Sequence, residues 1–118
     1  MRNVAALMFI GLPLFPQSLV QKASKVAVKR ENPYEGCERA RLAGAKLFRQ
    51  NCEPCHGENA KGNARRGTPP LATPLVHDAE PGTLFWILTN GSANHRMPSF
   101  AHLPEGQRWQ IITYLKRL

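Results

Sequence analysis

Three side chains able to ligate a metal or form a covalent bond stand together near the middle of the chain. They are Cys52, Cys55 and His56, within NCEPCHG at 51–57. Three kinds of chemistry use C-x-x-C followed by histidine. A structural zinc site needs four ligands, usually from a second cysteine pair or two further histidines. Here His77, His95 and His102 are scattered along the chain. A redox-active thiol pair needs a preceding strand in a βαβ setting, whereas the residues before Cys52 have a helical pattern. The third use is covalent haem attachment, the reading that C-x-x-C-H carries by itself. Two cysteines three positions apart sit about one helical turn apart. Both sulfurs then reach the vinyl groups on one porphyrin edge, and the next residue, His56, is directed at the iron.

Iron held by one histidine has a second axial position. Met97 is the candidate for it: it lies 41 residues after His56, is followed by Pro98, and falls in a stretch with no helical pattern. Its thioether is a soft neutral donor that favours ferrous iron. Met1 and Met8 belong to the N-terminal segment, so Met97 is the methionine left for this role. A methionine also serves as core filler, and His95 is a rival ligand.

These residues need elements to hold them. Ala40, Ala43, Leu47 and Phe48 recur at helical spacing, with Arg39, Arg41, Lys46 and Arg49 between them, and predict a helix over Glu38–Asn51. Gly44 inside that helix costs about 1 kcal/mol relative to alanine, which points to close approach by another backbone. Residues 57–82 hold four glycines and four prolines and read as loop. Such a length is unusual unless the loop wraps something. A short helix is expected over Thr83–Asn90, with Gly91 as its stop. A last helix is expected over Glu105–Lys116, with Pro104 in place of a polar cap. No strand pattern or repeat appears, so the fold class is all-α.

The first residues differ from the rest. Arg2 precedes an apolar run, Val4 to Phe15, and then Pro16-Gln17-Ser18. This is the pattern of a secretory signal. Pro13 and Pro16 break the run, which is too short to span a bilayer comfortably. The expected organisation is a signal over 1–23 with an uncertain cleavage site, a linker over 24–37, and a domain over 38–118. Membrane association would require the N-terminal segment to stay uncleaved. Export leads to a periplasmic or other oxidising compartment, where Cys52 and Cys55 would not remain free thiols. The remaining domain is small enough to depend on a cofactor for its core.

The stretches GAKLFRQNCEPCHG, GTPPL, NGSANHRMPSF and QIITYLKRL, in this order, resemble a class I c-type cytochrome of the small bacterial mono-haem kind. The resemblance covers residues 38–118. It implies a cytochrome c fold: three main helices with long loops around one covalent haem c. It implies thioethers at Cys52 and Cys55 and His56 as proximal ligand. Pro69 would supply the carbonyl that accepts a hydrogen bond from the His56 ring, and Met97 would be the distal ligand. Gly44 and Phe48 would cross Tyr114 and Leu115. Around the haem it places an apolar shell of Leu47, Phe48, Leu71, Phe85, Trp86, Phe100, Trp109 and Tyr114. Cys37 has no counterpart in this pattern. It is either a half-buried small apolar residue or an exposed thiol able to crosslink two chains.

With both axial positions filled by protein, electron transfer is favoured over substrate activation. No acid–base pair, activated nucleophile or phosphate loop appears, so no enzyme is expected. The reading is a single-electron carrier between respiratory or dehydrogenase partners. The alternative is an electron-accepting subunit of a larger oxidoreductase complex, and a haem sensor or peroxidase requires Met97 to be absent from the iron. The chain has 16 basic against 8 acidic residues. No Lys/Arg-rich helix or nucleic-acid signature accompanies that excess, so nucleic acid is not the expected partner. Lys61, Arg65, Arg66 and Arg96 would instead steer a redox protein with an acidic docking surface.

Overall fold

A computed structural model describes residues 18–118, and the expected signal therefore lies largely outside the described residues. Among the described residues there are six α-helices and no strands. Helix α1 spans Leu19–Ser24, α2 Glu38–Asn51, α3 Glu53–His56, α4 Pro74–His77, α5 Pro81–Asn90 and α6 Glu105–Leu115. The all-α expectation holds, with the three main helices as α2, α5 and α6. Helix α2 has the bounds its periodicity predicts. Helix α5 begins two residues earlier than expected, because Pro81 occupies the first turn, where a missing N–H costs nothing. Helix α6 ends at Leu115, with Lys116 as its cap.

The long loop over 57–82 is not featureless. It contains two single 3-10 turns, Glu58–Ala60 and Ala64–Arg66, and the short α4. Thr73 caps α4 by accepting from the Val76 N–H. An isolated antiparallel bridge pairs Asn63 with Thr68 and closes the loop on itself.

The core forms where α2 crosses α6, the most extensive helix contact. Phe48, Ile111 and Ile112 are its fully buried large side chains. The Phe48 and Tyr114 rings lie 5.3 Å apart at 50°, within the range of favourable aromatic pairs. Helix α5 packs on α6, with Phe85 stacked on Trp109 at 4.3 Å. At the crossing, a Cβ on Gly44 would overlap the Gln110 carbonyl of α6, which explains the glycine in a helix interior.

Segment 18–37 is fastened to this framework. Helix α1 starts with a capping box between Ser18 and Gln21, buries Ala23 and lies against α5. Beyond it the Arg30 guanidinium sits 4.3 Å over the Phe85 ring and pairs with Glu105. The buried Asn32 donates from Nδ2 to Thr113 Oγ1 at 2.9 Å and accepts from the Tyr34 N–H at 2.9 Å. Among the described residues, no helix is long and apolar enough to cross a membrane.

Candidate functional site

The C-x-x-C-H residues occupy the corner between α2 and α3. Cys52 ends α2 and begins α3. Its carbonyl accepts from the N–H of Cys55 at 3.1 Å and of His56 at 2.8 Å. One tight turn therefore carries all three side chains. Cys52 faces the core and is 7% exposed, whereas Cys55 is exposed. Burial, with a lesser contribution from Cys55, pushes the Cys52 thiol up to about 12, so it stays protonated at neutral pH.

The chain then returns to the motif. The His56 carbonyl accepts from the Gly62 N–H at 2.6 Å, and Leu71 N–H donates to the Ala60 carbonyl at 2.9 Å. This fold-back brings the Pro69 carbonyl 3.4 Å from His56 Nδ1. A carbonyl only accepts, so Nδ1 carries the proton and Nε2 keeps its lone pair. Burial holds the His56 imidazole below its ordinary pKa, with the Pro69 bond acting in the opposite direction. The ring is a neutral imidazole whose Nε2 lone pair is available to a metal.

Met97 is half-buried and packs against the hydrophobic cluster to which Cys52 belongs. The two halves of the expected site thus line one apolar cluster. Leu47, Leu71, Phe100 and Tyr114 pack against that cluster, and Phe48, Phe85 and Trp109 are buried within it. Trp86, expected in the same shell, is half-buried, as are Leu47, Leu71, Phe100 and Tyr114, while the α5 face that packs on the cluster carries Leu84, Phe85 and Leu88. The rival ligand His95 is exposed, with φ at +60°.

The Met97 loop is tied to the end of α5. Phe100 N–H donates to the Leu88 carbonyl at 2.7 Å, and Gly91 N–H to the Ile87 carbonyl at 2.7 Å. Ser92 and Asn94 supply side-chain bonds inside this loop. Sequence periodicity does not reveal them, although the small polar run after Gly91 is the composition of a hydrogen-bonded turn.

Lys61, Arg65, Arg66 and Arg96 are all exposed. Arg96 Nη1 lies 3.7 Å from the position a Cβ on Gly67 would take. The loop after His56 and the loop bearing Met97 therefore meet with basic side chains on both. Cys37 caps α2 through its backbone and is exposed, which excludes the half-buried apolar reading of that residue.

Residues 39–115 match the family described as cytochrome c oxidase, cbb3-type, subunit III. A 52-residue stretch is 46% identical to the Cbb3-type cytochrome c oxidase subunit FixP of Bradyrhizobium sp. (strain ORS 278), covering 43% of this chain and 18% of that protein. A 30-residue stretch is 57% identical to FixP of Rhizobium etli, covering 25% of this chain and 10% of that protein. The chain thus spans less than a fifth of the length of these relatives. The fold is similar to that of cytochrome CL from the marine methylotrophic bacterium Methylophaga aminisulfidivorans. There the TM-score is 0.63 with 23% identity, over 86% of this chain and 68% of that one.

The prosthetic group this family implies is a covalent haem c, and the donor set fits it. Two thiols share one turn with an imidazole whose Nδ1 is engaged by Pro69 and whose Nε2 is left to bind. The adjoining cluster is apolar and includes a thioether.

Proposed function

The chain belongs to the cbb3-type cytochrome c oxidase subunit III family of cytochrome c domains, and on that premise we propose that it is an exported carrier of single electrons with His56/Met97 axial ligation. The observation that carries this reading is the contact of His56 Nδ1 with the Pro69 carbonyl, made by a ring on the same turn as Cys52 and Cys55. When bound, haem c supplies reversible one-electron chemistry at its iron. Cys52 and Cys55 hold it through thioethers. His56 would hold the iron through Nε2, with Pro69 keeping that ring oriented and electron-rich. Met97 would supply its thioether as the second protein ligand, and the apolar cluster it packs against would keep water away. Lys61, Arg65, Arg66 and Arg96 orient an acidic redox partner, at a rate that falls as salt rises. The bounds that go with this reading are a signal over 1–23, a linker over 24–37 and a haem domain over 38–118; cleavage after residue 23 would remove most of α1 and its packing on α5.

A second reading has support from the relatives, which are named as oxidase subunits. In it, the same domain accepts electrons within a larger membrane or periplasmic complex. Expression in a host with haem-maturation machinery, followed by intact mass and purification from membrane and periplasmic fractions, tests both. One covalent haem on a freely soluble chain is the result the carrier reading expects. Stable co-purification with oxidase subunits would move the assignment to the second reading, and an unmodified polypeptide mass would defeat both.

A further inference from the structure

Met97 is gripped at both of its backbone polar groups by one residue. Its N–H donates to Ser92 Oγ at 3.0 Å, and its carbonyl accepts from the Ser92 N–H at 3.0 Å. The Ser92 hydroxyl proton is directed away from Met97, to Asn94 Oδ1 at 2.7 Å. That leaves an oxygen lone pair for the Met97 N–H. Asn94 Oδ1 also accepts from the Arg96 N–H at 3.1 Å, and the Ser92 carbonyl accepts from His95 N–H at 3.0 Å. The loop is thereby closed into a ring whose two ends are Ser92 and Met97.

The residue before Ser92 makes the ring possible. Gly91 has φ at +67°, and a Cβ there would overlap the Met97 carbonyl oxygen and stand 2.7 Å from the Pro98 carbonyl carbon. Residues 93–96 are exposed while Ser92 and Met97 are half-buried. Solvent thus competes for the loop tip but less for the closing bonds. Of these residues only Met97 and its rival His95 are candidate ligands, and no other side chain bonds the Met97 backbone among the described residues.

We infer that Ser92 is a positioning residue: its hydroxyl holds the Met97 backbone so that the thioether stays on the iron side of its loop. This rests on the Met97 ligation proposed above. Without the hydroxyl, Met97 keeps one closing bond, and the loop samples states in which the thioether has swung away. A net hydrogen bond of ordinary strength corresponds to a roughly 2- to 10-fold change in such an equilibrium. A ligand that binds only the open state gains apparent affinity by the same factor.

The test uses ferrous holoprotein and carbon monoxide as the probe, with the weak far-red absorption band of oxidised Met-ligated haem as a second readout. Ser92→Ala should raise CO affinity roughly 2- to 10-fold and weaken the far-red band. Ser92→Thr, which keeps a hydroxyl, should restore wild-type behaviour. Asn94→Ala, which removes the acceptor of the Ser92 proton and of the Arg96 N–H but leaves both Ser92–Met97 bonds in place, should shift both readouts in the same direction by less. It also keeps the test open if Ser92→Ala does not mature. Ser99→Ala serves as control, because Ser99 Oγ ties the same loop to the Thr89 carbonyl without touching Met97. Equal CO affinity in wild type and Ser92→Ala, with the band intact in both, would overturn the role of Ser92 and leave Met97 ligation standing. So would an equal effect from Ser99→Ala. A wild-type protein lacking the far-red band would instead defeat the Met97 ligation itself.

Discussion

Gly44 of α2 and Gln110 of α6 meet backbone against backbone: the space a Cβ would need at Gly44 is filled by the Gln110 carbonyl, and Tyr114 Cβ lies 3.0 Å from it. That approach sets the angle and depth of the α2/α6 crossing. It therefore sets where Cys52, at the end of α2, enters the core.

Gly44→Ala should push the two helices apart despite the better helix propensity of alanine. Overpacking of this kind costs about 1–3 kcal/mol, against the ~1 kcal/mol that removing a helix glycine returns. Denaturant unfolding of the holoprotein should show a net loss of stability. A gain would mean that the helices do not meet as described.

Asn32→Ala should destabilise although the residue lies outside the haem domain expected from sequence. It removes the bonds to Thr113 Oγ1 and the Tyr34 N–H in a buried setting. The expected loss is about 1–3 kcal/mol by thermal or denaturant unfolding. No change would indicate that segment 25–37 is detached in solution.

Glu105 gives a pH signature. The hydrogen bond and charge of Arg30 hold its carboxyl below the ordinary value. A depressed folded-state pKa contributes stability that is present above the unfolded value and is lost as pH falls through the folded one. Unfolding curves should therefore lose stability below about pH 4.5 by slightly less in Glu105→Gln than in wild type. The pair is solvent-exposed, so the difference should be small and should fade at high salt. A Glu105→Gln acid profile steeper than that of wild type would contradict the pairing.

Cys37 should be the one thiol that reacts with an alkylating reagent in the native holoprotein. It is exposed, and thioethers occupy Cys52 and Cys55. Mass spectrometry should find a single adduct on wild type and none on Cys37→Ser. Two or more adducts on wild type would mean that the haem attachment is incomplete.

Much of this architecture is legible in the sequence, for specific reasons. Helix α2 was readable because Ala40, Leu47 and Phe48 repeat at the helical period, and the haem anchor because Cys52, Cys55 and His56 are adjacent in sequence. The start of α5 was not, since Pro81 and Gly82 look like loop until the first helical turn is recognised as their place. The fastening of segment 25–37 was hidden because Arg30 on Phe85 and Asn32 on Thr113 are single contacts across a long sequence separation. They leave no periodicity behind. Ser92 was hidden for a related reason: its bond goes to a backbone N–H, which any residue at position 97 would offer.

The most direct test of the account is a CO titration of the ferrous holoprotein beside its Met97→Ala variant. With Met97 on the iron, wild type should take up CO weakly or not at all, and the variant should bind it readily. Ready binding by wild type, or indistinguishable curves from the two proteins, would contradict the closed His56/Met97 site and with it the assignment as a dedicated electron carrier.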